Sequence, residues 1–122
     1  MTPEDAFRRA ATSELARLKP LGFDRIREER GPGYESYTLF RGVQFIELVR
    51  EIRDQLVYAE LGRLQSGRMP GSKSSERIDL RQLTPNVGSL GSYEETAEVI
   101  AAAVREVVDA LVVDGIPHLD DV

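Results

Sequence analysis

Apolar residues along this chain form a helical stripe near each end, with aromatic-rich, alternating segments between them. Phe7, Ala11, Leu15 and Leu18 recur at helical spacing with Ala10 beside them, which predicts a first amphipathic helix. Thr2 can cap it, Pro3 suits its first position, and Glu4 and Asp5 favour the positive end of the helix dipole. Arg8, Arg9, Glu14 and Arg17 fall on its polar side. Pro20 disfavours helical geometry at Lys19, which places the stop there, and Gly22 supplies the turn.

From Phe23 to Leu64, β-branched and aromatic residues predict an antiparallel meander of three to four strands. Phe23 to Arg30 reads as a charged edge strand, and Gly31-Pro32-Gly33 as a turn. Tyr34 to Phe40 alternates as a strand and Arg41-Gly42 suits a tight reversal. Val43 to Glu51 also fits a helical stripe through Phe45, Ile46, Leu48, Val49 and Ile52. Strand is preferred there because hairpin signals flank it. Leu56 to Leu64 completes the meander, after a turn at Arg53-Asp54-Gln55.

Residues 65–77 are polar and rich in Gly and Ser, which predicts a flexible loop. Ile78, Leu80 and Leu83 anchor a short segment, and residues 85–91 form another loop. The last helix is announced by Ser92 and Glu95 as a capping box. Its stripe runs through Ala97, Ile100, Ala101, Val104, Val107, Val108, Leu111 and Val112. Gly115 then ends it and Pro117 prevents its resumption. The expected fold is α+β in a single domain spanning residues 1–122, with both helices on one sheet face. The other sheet face is left to solvent or to a partner.

Charge narrows the function classes. The chain carries 16 basic and 21 acidic side chains, a net charge of −5. An acidic domain has no general attraction for nucleic acid or anionic lipid, and it attracts basic proteins. Acidic residues dominate the last third, where Arg105 is the single basic residue against eight acids. Residues 63–81 are locally basic through Arg63, Arg68, Lys73, Arg77 and Arg81. There is no cysteine, no apolar run of membrane-spanning length and no apolar segment after the acidic start. The expectation is a cytoplasmic protein with no membrane segment.

Candidate chemistry is sparse. Gly67 to Ser74 approximates a phosphate-binding loop, with Gly67, Lys73 and Ser74 in register. Ser72 stands at the second glycine position, however, and no strong helix follows. A basic surface loop is the plainer reading, with Arg63, Arg68, Lys73 and Arg77 as candidate anion contacts. Nucleic-acid binding is disfavoured because the remainder of the chain is acidic. His118 is the only histidine, which excludes multi-histidine metal sites and the Cys–His dyad, and no nucleophile elbow accompanies it. It is expected to pack near the end of the chain, with Asp120 and Asp121 solvent-exposed. Glu47 and Glu51 share a face if their segment is a strand, and with Asp54 and Glu60 they read as a polar, solvent-facing side. Tyr34, Tyr37, Phe40, Phe45 and Tyr58 divide between core and an uncovered face, where tyrosines would mark a partner site.

Three motifs occur in order: Leu18-Lys19-Pro20-Leu21-Gly22-Phe23, Leu56-Val57-Tyr58-Ala59-Glu60-Leu61-Gly62 and Gly115-Ile116-Pro117-His118-Leu119. Together they resemble a family of small bacterial α+β domains of unknown function. The resemblance implies a helix, an antiparallel sheet and a final helix, and suggests a small accessory protein of the toxin-neutralising kind. It brings no catalytic residues.

The functional expectation is a small acidic protein-binding module, an immunity-type neutraliser of a basic toxin or enzyme. Glu94, Glu95, Glu98, Glu106 and Asp109 would steer such a partner. One alternative is a peptide-binding adaptor or chaperone-like homodimeric subunit, marked by an exposed sheet edge or apolar face. Another is a small ligand-binding domain or enzyme, marked by a pocket with paired carboxylates. No metal or cofactor is expected.

Overall fold

The computed structural model describes residues 2–53, 55–64, 76–83 and 96–120. Helix α1 (Pro3–Leu15) starts as its sequence dictates: the Thr2 hydroxyl accepts a hydrogen bond from the Asp5 N–H at 3.1 Å, and Pro3 opens the first turn. The chain then tightens into a 3-10 helix over Ala16–Leu21 that contains Pro20, so Pro20 does not stop it at Lys19. Gly22, with φ 99°, makes the turn.

Five strands follow, where the sequence suggested three or four: β1 (Arg25–Gly31), β2 (Tyr34–Arg41), β3 (Gln44–Glu51), β4 (Leu56–Arg63) and β5 (Glu76–Asp79). They form one antiparallel sheet in the order of the chain, with β1 at one edge and β5 at the other. Both early turns use glycine where a positive φ is required. Gly33 (φ 82°) follows Pro32, and Gly42 (φ 59°) opens the β2–β3 reversal. The segment at Val43 to Glu51 is a strand from Gln44 onward, with Val43 in the turn. The segment expected to loop through residue 77 already enters β5 at Glu76 and Arg77. Ile78 is the one apolar residue that this short charged strand aligns with Leu61, too little periodicity to announce a strand.

Helix α2 (Ala97–Ala110) is capped by Thr96, whose hydroxyl accepts from the Val99 N–H at 3.3 Å. Ser92 and Glu95 lie outside the described residues. Gly115 and Pro117 do not end the helical path. A π turn at Leu111–Gly115 leads into α3 (Ile116–Asp120), with the Ile116 N–H bonded to the Leu111 carbonyl. The extra residue in that turn lets the chain pass Pro117, whose missing N–H falls in a first turn that needs none. Gly115 has a packing role instead: a Cβ there would lie 3.1 Å from Leu111 and 3.3 Å from Leu80.

Both long helices pack on one sheet face, as expected. Phe7, Ala11, Leu15 and Leu18 meet Ile100, Val104, Val107 and Leu111 over a floor of Tyr37, Leu39, Ile46, Leu48, Val57, Ala59 and Leu61. Near the start of α1 this face also holds a buried ion pair, Arg50 to Glu35 at 3.2 Å. Burial pushes the Glu35 carboxyl above its ordinary range, against the pull of Arg50.

Candidate functional site

The strand register places a second set of residues on the opposite sheet face. One row runs Arg25, Phe40, Phe45, Gly62 and Arg77, and the next Arg27, Thr38, Glu47, Glu60 and Asp79. A third runs Glu29, Ser36, Val49 and Tyr58, and a fourth Gly31, Tyr34, Glu51 and Leu56. Neither α1 nor α2 packs on this side. Even so, Phe40, Phe45, Val49, Ser36 and Thr38 are buried and stand apart from the main core. The expectation of a polar, solvent-facing side is therefore corrected.

The chain's own guanidinium groups help to close this face. Arg77 lies 5.0 Å from the Phe45 ring centre, Arg25 5.7 Å from Phe40 and Arg81 5.4 Å from Tyr58. Gly62 stands opposite Arg77 and has no side chain to block its reach to Phe45. The same guanidinium bridges two carboxylates on adjacent strands, Glu47 at 2.9 Å and Glu60 at 3.2 Å. Glu47 and Glu60 face each other directly, an arrangement that needs a cation between them.

Beside this bridge lies a cleft of about 480 Å³, lined by Glu29, Pro32, Gly33, Tyr34, Glu47, Val49, Glu51, Tyr58 and Arg77. Its volume falls within the roughly 300–1,000 Å³ of ordinary ligand sites. Tyr34 is held flat across Gly31, where a Cβ would overlap its ring. Ser36, only 1% exposed, lies in the row between Glu29 and Val49, and its hydroxyl has no hydrogen-bond partner among the described residues.

Among the described residues three carboxylates and one guanidinium line the cleft, with Glu29 already paired with Arg27 at 3.6 Å and Glu47 with Arg77 at 2.9 Å. The Tyr58 phenol records this: burial raises its pKa first, and Glu60, Glu51, Glu47 and Asp79 raise it further. Asp79 behaves oppositely. Burial alone would lift it, but hydrogen bonds from Arg81, as short as 2.7 Å, hold it below the usual carboxylate range. The arrangement suits binding a cation between carboxylates and aromatic walls. It suits acid–base chemistry poorly, because Arg77 already engages the Glu47–Glu60 pair. Among the described residues no group of three His, Asp or Glu side chains could hold a metal ion.

The residues chosen from sequence are dispersed. Glu98, Glu106 and Asp109 are exposed on α2, and Asp109 accepts a hydrogen bond from Arg17 at 2.7 Å. Glu94 and Glu95 lie outside the described residues, as do Arg68, Lys73, the Gly67–Ser74 motif, Asp54 and Asp121. Arg63 and Arg77 leave opposite sheet faces, since Gly62 and not Arg63 pairs with Arg77. They share only a smaller cleft of about 170 Å³ with His118 and Leu119 at the sheet edge. Asp120 is exposed and bound by Arg41 at 2.6 Å. Sequence reasoning placed Glu47 and Glu51 together but missed Glu29, Val49 and the bridging role of Arg77. Alternation could group residues within a strand, but it could not align one strand with the next.

No known protein family, curated protein or solved structure matches this chain. No helix among the described residues is long and apolar enough to cross a membrane.

Proposed function

We propose that this chain is a protein-binding module that receives a basic side chain of its partner in the acidic cleft of the second sheet face. The observation that carries this reading is the cleft's composition. Glu29, Glu47 and Glu51 outnumber Arg77 and stand with Tyr34 and Tyr58 around a space of ligand size. A lysine or arginine of the partner would meet carboxylates for its charge and ring faces for its stem. Carboxylates would steer the encounter, so association would slow as salt rises. The neutralisation of a basic toxin or enzyme fits this chemistry. The cleft supports the reading better than the acidic side of α2, because its carboxylates stand beside aromatic rings in a concave space whereas Glu98, Glu106 and Asp109 are exposed on the helix surface.

The test compares Glu29→Lys/Glu51→Lys with Glu98→Lys/Glu106→Lys. Each is used to capture partners at low and high salt, with binding rates to the captured protein measured afterwards. Loss of a salt-sensitive basic partner with the cleft variant alone is the expected outcome. Loss with the α2 variant alone would move the docking site to that helix. A partner retained by both variants would refute electrostatic docking altogether.

A further inference from the structure

The edge strand β1 carries a feature that the cleft does not explain. The two-residue turn at Pro32 and Gly33 makes Gly31 and Tyr34 the closing pair of a hairpin. Backbone groups of Arg25, Arg27, Glu29 and Gly31 therefore point to β2. Those of Ile26, Glu28 and Arg30 point outward, because hydrogen bonding alternates along an antiparallel strand. Among the described residues they form an open row at the edge of the sheet. Such edges are often guarded by charged side chains, proline or bulges, and charge repels a second copy only where the signs fail to match on pairing. Here the side chains read Arg25, Ile26, Arg27, Glu28, Glu29, Arg30, with mixed signs and an apolar residue 58% exposed.

We infer that β1 is a self-association edge, and that two copies join β1 to β1 antiparallel about a twofold axis through Glu28. This register overlaps the whole strand and pairs every outward backbone group: Ile26 with the second copy's Arg30, and Glu28 with its counterpart. It sets Arg27, which already lies 3.6 Å from Glu29 of its own chain, opposite the second copy's Glu29 twice, on the face that carries the cleft. The two Glu28 carboxylates meet at the axis, where Arg30 of the same chain already lies 3.4 Å from Glu28. The second copy's Arg30 reaches the same point along the diagonal. Ile26 gains the aliphatic stem of that arginine.

The apolar groove beside the strand adds to the contact. It is lined by Leu15, Phe23, Ile26 and Leu39, among others. Arg30 lies 3.8 Å from Glu4, so the start of the second copy's α1 comes towards that groove. The product is a continuous sheet of twice five strands with both clefts on one side. An isologous interface of this kind closes on itself and does not propagate.

The experiment measures molar mass by sedimentation equilibrium from about 1 µM to about 1 mM, a range that brackets small edge interfaces. No binding partner is present, so the result is independent of the cleft's function. Wild-type chain is expected to dimerise. Glu28→Pro removes an outward N–H without touching the β1–β2 ladder and abolishes the dimer. Arg27→Glu and Glu29→Arg each set like charges opposite one another and weaken association roughly ten- to a hundredfold. The double swap Arg27→Glu/Glu29→Arg restores it, a recovery that a merely local fold defect would not give. Far-UV circular dichroism checks each fold, and the charge series decides alone if the proline variant is unfolded. A wild-type chain that stays monomeric, a dimer indifferent to Glu28→Pro, or a swap without recovery overturns the inference.

Discussion

Replacing Arg77 with methionine isolates the charge that holds the second sheet face together. Methionine keeps an apolar stem over Phe45 and removes the guanidinium that bridges Glu47 at 2.9 Å and Glu60 at 3.2 Å. The two carboxylates then face each other across adjacent strands with only 13% and 24% of their side-chain surface exposed. Breaking a fully buried ion pair costs about 3–5 kcal/mol, and partial access to water reduces that here to roughly 2 kcal/mol. For a chain of this size the loss corresponds to a melting point lower by roughly 6–10 °C. The informative comparison is Arg77→Met/Glu47→Gln/Glu60→Gln, where no uncompensated charge remains. Its cost should fall below about 1 kcal/mol, since removing a whole ionic cluster is often nearly neutral. Urea unfolding followed by tyrosine fluorescence reads both variants. Guanidinium chloride is avoided because it carries the same ion as the missing side chain. If the triple variant is as unstable as the single one, the arginine acts through packing on Phe45 and the electrostatic account fails.

Burial raises the Glu35 pKa above its ordinary range despite Arg50. A raised folded-state value means that this group's stabilisation is complete below the unfolded glutamate pKa of about 4.3 and is lost as pH rises through the folded value. Wild-type stability relative to Glu35→Gln should therefore increase as pH is lowered through that window, and urea midpoints showing a flat or reversed difference would exclude it. Gly31→Val should displace the Tyr34 ring, cost about 1–3 kcal/mol and change the near-UV tyrosine signal. Gly33→Ala meets no neighbouring atom and should cost only about 1–2 kcal/mol for its φ of 82°, leaving that signal intact. Phe45→Ala should cost about 3–5 kcal/mol although it lies on the face opposite α1 and α2, whereas a Phe45 solvated on that face would lose almost nothing.

Much of the architecture was legible wherever a local interaction decides it. The cap at Thr2 acts within one helical turn. The reversals at Gly33 and Gly42 need only the conformational freedom of glycine. The amphipathic stripe of α2 and the alternation of β2, β3 and β4 reflect one periodicity each. Even the doubtful segment from Val43 resolved correctly, because turn signals bound it on both sides. Pro117 fails to stop the helical path for a reason beyond local sequence. A rule that holds within an ordinary α-helix fails where a π turn at Leu111–Gly115 shifts the register before it.

By itself, then, the amino-acid order determined two amphipathic helices at the ends, an antiparallel meander between them and an acidic chain without cysteine. Only the tertiary structure decided that β5 pairs with β4 and brings Arg77 between Glu47 and Glu60. Only the register gathered Glu29, Tyr34, Glu47, Glu51 and Tyr58, from four different strands, around one cleft. Periodicity says which way a side chain points from its own strand. It carries no information about the offset between strands, and a slip of one residue would turn all of these groups to the opposite face. The site is therefore a property of the sheet and of no single segment of it.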